Sequence, residues 1–478
     1  MTTDPRFQSP AQSPSQPPAQ SPSLSRRSLL GAGALAAGLG LFGCGGQSTT
    51  KSGGSANLQF MYWGSANEKA AIEQMIKQFQ SSHSGVKVQP VHVPGDYETK
   101  VNTLVASGNL PDVAYMTAPT AYRLAEQGKI ANIYPYIEKF AQLSGRKPQN
   151  FFWYGDKLVA GTPAASEITL LWYNKALFTD PATIPPASAD KAWSWDRLVE
   201  VATSLTLDQD GRKPGEPGFK ADRIRQFGIS APLTTQWTWY PLIRSNGGDV
   251  TDETGTKYTL NSPECVEVFQ NLQDLIYKHR VAPSPAQLGG GADGSNAPTT
   301  TVQLQTKRVA MAIDGQWTLL DMGESDLEYG VGVLPSYQEP ITQEAGSCRV
   351  MSAGTKFTDE AIELYAYSVD GANSDLFKKG LWMPVETKYY SDNAAIDSWT
   401  KNDVHPPEYR TAAVDYRLNN SVRDFTQVLK NVPAIQEVLT PAIEQIATGK
   451  TPAKTVLDSL QAKIEPLLQG RYPIPTSI

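Results

Sequence analysis

The chain has 478 residues, of which 40% are hydrophobic and 19% are charged, and its 42 basic and 48 acidic residues give a formal net charge of −6. That length predicts more than one compact unit, and the mildly acidic balance offers no general attraction to nucleic acid or to anionic lipid. No apolar stretch reaches the roughly 20 residues that a membrane-spanning helix needs.

The first predicted element is an export signal. A Pro/Ser/Gln-rich stretch that cannot form a core is followed by Arg26-Arg27 and then by the apolar run 29–43. The arginine pair resembles a twin-arginine signal, and residues 41–44 resemble a lipobox, in which Cys44 is diacylated and becomes residue one. The alternative is a disordered tail with an incidental hydrophobic patch. We predict a signal peptide over residues 1–43 and an extracytoplasmic protein, in the periplasm or on the outer cell surface, anchored to the cell membrane through Cys44.

Residues 44–57 are rich in Gly, Ser and Thr and predict a flexible tether that holds the folded part away from the membrane. With Cys44 assigned to the lipid, only Cys265 and Cys348 remain, so a disulfide framework does not carry the fold. One bridge between them is possible in an oxidising compartment. Two separate small buried hydrophobic side chains are the favoured interpretation.

The folded part begins with alternating strand and helix patterns. Residues 58–63 read as a buried strand, Ile72 to Phe79 repeat at helical spacing, and 86–93 suggest a second strand. A helical stripe over 97–105 and a strand over 112–116 follow. This βαβαβ alternation predicts an α/β lobe with a mostly parallel sheet.

Further along the chain, apolar runs and helical periods continue to alternate. Strands are predicted over 170–174, 309–313 and 329–334, helices over 195–205 and 266–276, loops over 211–218 and 289–298, and a largely helical end over 422–468 with breaks at Pro433, Pro441, Gly449 and Pro466.

The motifs of common catalytic and metal sites are not found in the sequence. The four histidines lie far apart, without an H-E-x-x-H pair or a Cys partner at metal spacing, and no G-x-S-x-G elbow occurs. We therefore predict no metal, no cofactor and no catalytic residues. Paired carboxylates of a glycosidase depend on a separation in space that a sequence does not reveal.

Seven fragments in order resemble family 1 extracellular solute-binding proteins, the group that includes maltose- and multiple-sugar-binding components of ABC importers. The resemblance covers nearly all of residues 57–470. The fragments that carry it are 100–113 (KVNTLVASGNLPDV), 172–178 (WYNKALF), 195–198 (WDRL), 246–249 (NGGD), 260–264 (LNSPE), 309–317 (VAMAIDGQW) and 329–335 (YGVGVLP).

The resemblance implies a two-lobed, periplasmic-binding-protein-like α/β fold of type II. Each lobe is expected to hold a mostly parallel sheet flanked by helices, with the ligand cleft between the lobes. The chain would cross between lobes near 166–168, 346–350 and 415–420. Lobe one would then comprise residues 57–166 plus 347–418, and lobe two residues 168–345 plus 419–478.

The resemblance also implies a set of ligand-binding residues. Pyranose rings present apolar CH faces as well as hydroxyl groups, so sugar sites combine aromatic platforms with hydrogen-bonding side chains. Trp317 is the first candidate, because a glycine turn after a buried strand delivers an indole to the cleft. The predicted ligand-binding residues are Trp63, Ser65, Asn67, Asp96, Tyr97, Thr117, Glu167, Trp237, Trp317 and Trp382.

Several of these residues have a structural alternative. Trp63 is also suited to core packing at the end of a strand, and Asp96 to a helix N-terminus, where its charge matches the helix dipole. Glu167, at the first crossing, is also suited to a structural salt bridge, and Trp382 to the core.

The predicted function is that of the substrate-binding component of an ABC importer, which binds a carbohydrate and passes it to the permease subunits. The first alternative keeps the fold and changes the ligand to a glycerophosphodiester or another polar metabolite, because a fold does not determine its ligand. The second is a secreted glycosidase. No nucleic-acid partner is expected.

Overall fold

Residues 55–288 and 297–478 are described in the computed structural model of the protein. The predicted signal peptide, Cys44 and the tether up to residue 54 lie outside the described residues, as does most of the predicted loop 289–298. Among the helices of the described part, none has the length and hydrophobicity needed to span a bilayer.

The described residues form thirteen strands and fourteen α-helices. The strands are β1 (Ala56–Tyr62), β2 (Val86–His92), β3 (Val113–Met116), β4 (Phe152–Gly155), β5 (Leu158–Pro163), β6 (Glu167–Asn174), β7 (Leu207–Asp208), β8 (Ile224–Ser230), β9 (Val309–Gly315), β10 (Tyr329–Gly332), β11 (Thr342–Ala345), β12 (Cys348–Met351) and β13 (Ser421–Arg423). The helices are α1 (Ala66–Ser82), α2 (Tyr97–Ala106), α3 (Ala118–Glu126), α4 (Ala141–Ser144), α5 (Trp195–Leu205), α6 (Gln236–Ser245), α7 (Pro263–Tyr277), α8 (Thr300–Gln305), α9 (Thr318–Gly323), α10 (Thr358–Val369), α11 (Asn393–Thr400), α12 (Tyr416–Asn420), α13 (Val432–Ala447) and α14 (Ala453–Ile464), with a π-helical turn over Arg410–Asp415.

The strands form two sheets, and the predicted two-lobed α/β fold is confirmed. The first sheet has the order β2-β1-β3-β12-β5-β4, and the second has the order β13-β11-β6-β9-β8-β7 with β10 paired to β6. In β6, Leu170 and Trp172 face one core while Leu171 and Tyr173 face another. Successive side chains of a strand point to opposite faces, so the second sheet is covered on both sides.

The prediction that each sheet is mostly parallel is wrong, because both sheets are mixed. β1 runs parallel to β2 and β3, but β12 is antiparallel to β3 and β5. In the second sheet, β6 is antiparallel to β9, β10 and β11. The strands β6 and β12 each enter their sheet straight from the other one, so no crossover helix of a βαβ unit obliges them to run parallel to their neighbours.

The chain passes between the sheets at three places, and one carboxylate bonds to residues near them. The first passage links β5 to β6, the second links β11 to β12, and the third lies between β12 and β13. Glu344 Oε1 accepts hydrogen bonds from Ser166 Oγ of the first passage (2.6 Å) and from Arg417 Nη2 of α12 (2.7 Å), while Oε2 accepts one from Ser421 Oγ of β13 (3.1 Å). We call these four residues the hinge cluster.

Side-chain caps begin several of the helices. Ser65 Oγ accepts a hydrogen bond from the amide of Glu68 at the start of α1, and Ser194 and Ser262 do the same for α5 and α7. Each such bond satisfies one of the amide groups that the first helical turn leaves without a partner.

The predicted breaks at Pro433 and Pro441 do not occur, because both prolines lie within α13. Pro433 is in the first turn, where its missing amide hydrogen has no helical acceptor in any case. Pro441 lies on the exposed face, where a carbonyl group that lacks its helical partner can be hydrated. The predicted helical end also begins too early, since Val422 belongs to β13.

The two cysteines of the described part are buried free thiols. Cys265 lies in the core on one face of the second sheet, and Cys348 lies in the core of the first sheet. The favoured interpretation of two separate buried side chains therefore fits the structure.

A candidate ligand-binding cleft between the two sheets

A cavity of about 480 Å³, here called the cleft, lies between the two sheets. Its walls come from the ends of β1 and β3 in the first sheet, from the residues around α6 and α9 that follow strands of the second sheet, and from the backbone of the second passage at 345–347. Its volume lies in the range of about 300 to 1,000 Å³ that small-molecule sites occupy.

Aromatic side chains form much of the cleft wall. The rings that line it are Trp63, Tyr115, Trp237, Trp317 and Trp382. Trp63 directly follows β1, and its ring meets those of Tyr97 and Tyr115 edge to face at centroid distances of 4.8 and 5.2 Å. This geometry suits the quadrupoles of the rings and holds the Trp63 indole in one orientation.

Trp237 and Trp317 pack against each other on the side of the second sheet. Their rings are perpendicular, with centroids 5.2 Å apart, and Trp237 Nε1 donates a hydrogen bond to Asp314 Oδ1 at 3.1 Å. The Trp317 ring lies directly on Gly315, where an added Cβ would stand only 2.1 Å from a ring carbon. A glycine is therefore required beneath the indole.

Four carboxylates also line the cleft, namely Glu68, Glu167, Asp321 and Asp424. Desolvation raises the pKa of Glu68 to about 8, an effect that the nearby Tyr115 hydroxyl and the Arg349 guanidinium partly offset. Desolvation, together with the charge of Glu68, raises the pKa of Glu167 to about 8 as well. Burial raises the pKa of Asp424 too, against the hydrogen bonds from Thr426 and Gln236. The cleft therefore disfavours the ionised form of three of its own acids.

Asp321 joins the two sides of the cleft. It lies on α9, and its Oδ1 accepts hydrogen bonds from Ser65 Oγ and from Asn67 Nδ2 of the first lobe, both at 3.0 Å. Bonds of this kind hold the two walls together at one edge.

Arg349 lies behind the cleft wall, and its side chain is buried. Its guanidinium stands 3.7 Å from the centroid of the Tyr115 ring, and none of its nitrogen atoms has a hydrogen-bond partner within the described residues. Burial lowers its pKa, while the neighbouring Tyr115, Tyr97 and Glu68 raise it.

Within residues 55–288 and 297–478, no three His, Cys, Asp or Glu side chains are grouped so that they could hold a metal.

The family model of the bacterial extracellular solute-binding proteins matches residues 74–405, more than half of the chain.

The chain belongs to the bacterial extracellular solute-binding protein family. Its members bind solutes outside the cytoplasm, which places this protein in an extracytoplasmic compartment. The resemblance seen in the seven sequence fragments is therefore confirmed.

Similar sequences and structures cover most of the chain. The sn-glycerol-3-phosphate-binding periplasmic protein of Brucella melitensis is 24% identical over 84% of this chain and 92% of its own length, and the maltodextrin-binding protein of Bacillus subtilis is 24% identical over 77% and 79%. Among solved structures, an ABC substrate-binding protein of Listeria monocytogenes in complex with cycloalternan superposes with a TM-score of 0.73 at 22% identity, covering 86% of this chain and 98% of the other. A Bdellovibrio bacteriovorus maltose/maltodextrin-binding domain bound to maltotriose gives 0.68 at 16%, covering 86% and 99%. These likenesses in structure show a shared fold.

Seven of the ten predicted ligand-binding residues of this solute-binding protein line the cleft. They are Trp63, Ser65, Thr117, Glu167, Trp237, Trp317 and Trp382.

The other three predicted residues lie outside the cleft lining. Asn67 points to Asp321 from the first turn of α1. The hydroxyl of Tyr97 donates to the carbonyl groups of Met61 and Tyr115, which ties α2 to the sheet. Asp96 is exposed in a left-handed conformation (φ 50°) before α2 and makes no capping bond with its side chain.

Sequence reasoning missed several residues of the cleft, above all Glu68, Tyr115, Asp321 and Asp424. The pattern Ser65-x-x-Glu68 has the form of a capping box, which signals the start of a helix and hides a role for the glutamate. Gly64 was the local signal available: its φ is 118°, and a Cβ there would stand 2.0 Å from Glu68 Oε2. Because Gly64 has no side chain, the carboxyl group of Glu68, four residues later, has room at the cleft.

Proposed function

We propose that this solute-binding protein is the substrate-binding component of an ABC importer and that it binds a carbohydrate in the cleft. The observation that carries the ligand class is the five aromatic rings of the cleft, interleaved with the amides Gln236, Gln343 and Gln427 and with four carboxyl groups. Aromatic faces pack against the CH faces of a pyranose, and amide and carboxyl groups exchange hydrogen bonds with its hydroxyls.

The names of similar proteins support a carbohydrate. The Bacillus subtilis relative is a maltodextrin-binding protein, and the Listeria and Bdellovibrio structures hold cycloalternan and maltotriose. Another relative is named as a binder of sn-glycerol 3-phosphate, which keeps the predicted alternative of a glycerophosphodiester or another polar metabolite open to test.

Thermal unfolding in the presence of mono- and oligosaccharides tests the proposed ligand class. A solute that binds only the folded state raises the unfolding midpoint by mass action, by an amount that grows with its concentration. We expect at least one carbohydrate to do so. If no carbohydrate in a broad panel moves the midpoint, the proposed ligand class is wrong.

Prolonged incubation with the binding carbohydrate separates a binding protein from the glycosidase alternative. We expect the carbohydrate to be recovered unchanged at a fixed stoichiometry. New reducing ends that appear with protein, and do not appear with protein denatured beforehand, would contradict the proposal.

The proposed mechanism is closure of two lobes about the three passages, which presents a surface to the permease. We assign residues 57–166 plus 347–418 to lobe one and 168–345 plus 419–478 to lobe two. Trp237 and Trp317 are the proposed platforms for the sugar, with Trp63, Ser65, Thr117, Glu167 and Trp382 as further contacts.

We also propose that Cys44 is lipidated after removal of residues 1–43 and that residues 44–57 tether the lobes to the membrane. Replacing the thiol removes the site of acylation, so Cys44→Ser is expected to release the protein from the membrane fraction. Fractionation of cells, with metabolic labelling by a fatty acid, measures this. A variant that remains bound to membranes and labelled as before would contradict the anchor, whereas Cys265→Ser serves as the control that keeps both properties.

A further inference from the structure

The cleft lining carries carboxyl groups but no basic side chain. Its four carboxylates are accompanied by no lining Lys, Arg or His side chain. Asp321 and Asp424 are already engaged, the first by Ser65 and Asn67 and the second by Gln236 and Thr426. The ion pairs of the described glutamates, such as those of Glu344, Glu386 and Glu408, do not include Glu68 or Glu167.

One buried polar atom of the cleft lining also has no hydrogen-bond partner within the described residues. It is Oε1 of Gln343, on a side chain that is 2% exposed. Buried polar groups without a partner are rare and costly in folded proteins. A carboxylate and an amide oxygen can only accept hydrogen bonds, so these groups call for a ligand that is rich in donors.

The aromatic walls favour a cation for a separate reason. Ring faces carry negative charge density and attract ammonium and guanidinium groups, indoles most strongly. The same cluster already shows this, because the Arg349 guanidinium stands over Tyr115 from behind the wall. On the cleft side, the indoles of Trp63, Trp237, Trp317 and Trp382 have no such cation among the lining residues.

We propose that the natural ligand carries a positively charged nitrogen, received by Glu68 and Glu167 within the indole walls. The solute is then an amine-bearing sugar or a sugar-like cation, and phosphate-bearing solutes are excluded. The inference rests on the proposed function in that the same cleft is taken as the binding site. A phosphate monoester would find no lining cation to receive its negative charge. A bound cation, by contrast, favours the ionised form of Glu68 and Glu167 that burial alone disfavours.

Two pairs of probes, comparable in size within each pair but different in charge, test the proposal by thermal unfolding at pH 7.5. The larger pair is a β-1,4-linked glucosamine trisaccharide and cellotriose, and the smaller pair is spermidine and sn-glycerol 3-phosphate. We expect one of the two amine probes to raise the midpoint more than cellotriose does, and the phosphate to leave it unchanged. A shift with the phosphate, or no amine probe that exceeds cellotriose, would overturn the proposal.

The four probes also separate this inference from the proposed function. A shift with cellotriose alone supports a carbohydrate ligand and contradicts a positively charged one. A shift with spermidine alone supports a positively charged ligand and contradicts a carbohydrate.

Glu68→Gln tests the assigned residue, because it removes the charge and keeps the shape. Calorimetric titration with the amine probe that gave the larger shift is expected to show at least a tenfold loss of affinity. Glu73→Gln is the matched control, since Glu73 lies on the same helix and pairs with Lys69 at the surface. Equal affinities of Glu68→Gln and the parent protein, with both folded by their unfolding curves, would overturn the role of Glu68.

Discussion

Trp317 is the single residue whose surroundings best suit a platform for a ligand. Its indole is half-buried on Gly315 and is held edge to face by Trp237. Trp317→Ala removes indole area from the cleft, so we expect the affinity for the ligand to fall by roughly 2 kcal/mol or more, as at an interface hot spot. That loss is more than tenfold in the dissociation constant.

Calorimetric titration of Trp317→Ala measures this loss, and the unfolding midpoint without ligand reports on folding. Trp193→Ala is the matched control, since Trp193 is half-buried and lies outside the cleft lining. A variant that binds as tightly as the parent but unfolds at a markedly lower temperature would show that Trp317 belongs to the core instead.

The buried acids of the cleft make stability depend on pH. The pKa of Glu68 and that of Glu167 are both raised to about 8 in the fold. Their contribution to folding is therefore fully present below pH 4.5 and is lost as the pH rises through 8. We expect the unfolding midpoint without ligand to fall between pH 5 and pH 8. In the double variant Glu68→Gln, Glu167→Gln the fall is expected to be smaller, and an unchanged slope would contradict the role of these two groups.

Sequence reasoning reached some cleft residues and missed others for a physical reason. Trp317 follows a buried strand and a glycine within three residues, so local pattern alone points to it. Asp424 and Glu68 lie more than 300 positions apart in the chain, and only the folding of two sheets brings them to one cavity. No local pattern encodes that meeting.

Among the elements, α13 shows where local reasoning about proline fails. Pro441 was predicted to end a helix, but Ile435, Leu439, Ile443 and Ile446 bury one continuous stripe in the second lobe. Tertiary packing of that stripe outweighs the helical hydrogen bond that proline lacks.

Pro441→Ala is therefore expected to stabilise the protein. Proline in a helix interior destabilises the folded protein by about 3 kcal/mol relative to alanine. Removing it also raises the conformational entropy of the unfolded chain, which lowers the free energy of unfolding by about 1 kcal/mol at most. The net gain in the free energy of unfolding is about 2 kcal/mol. Chemical denaturation measures it, with Pro433→Ala, in the first turn of the same helix, as the control for which little change is expected.

The directions of the strands could be predicted only in part. The βαβ units of β1 to β3 were read correctly because helical and strand periods alternate along that segment. The strands β6 and β12 are antiparallel to their neighbours because each enters its sheet directly from the other sheet. The apolar pattern of a strand does not indicate the direction in which the strand enters a sheet.

For the molecule as a whole, we propose that two lobes turn about the three passages. We expect ligand binding to close the cleft, as hinge motion in such folds does. Small-angle scattering is then expected to give a smaller radius of gyration with ligand than without it. Identical curves for the free and the demonstrably bound protein would remove closure from the mechanism.

The hinge cluster is expected to stabilise the fold at the passages. Glu344→Gln breaks the ion pair with Arg417, a side chain that is 8% exposed, and leaves a cation without its counter-charge. Losing one partner of a buried pair costs on the order of 3 kcal/mol, and less here because Glu344 itself is partly exposed. Chemical denaturation measures the loss, and Glu363→Gln on the surface is the control. A variant as stable as the parent would show that the pair contributes nothing to the fold.

The charge state of Glu344 has a consequence for a protein that works outside the cytoplasm, where the surroundings set the acidity. Burial alone would raise the pKa of this carboxyl, but Arg417, Ser166 and Ser421 bring it below its ordinary value. Stability from this group is therefore kept above pH 4.5 and is lost only when the pH falls through the lowered pKa. In mildly acidic surroundings, the cluster stays ionised while Glu68 and Glu167 are protonated. As the pH falls, the two glutamates of the cleft are therefore protonated at a higher pH than Glu344. Binding of the solute can then depend on pH while the hydrogen bonds of the hinge cluster stay intact.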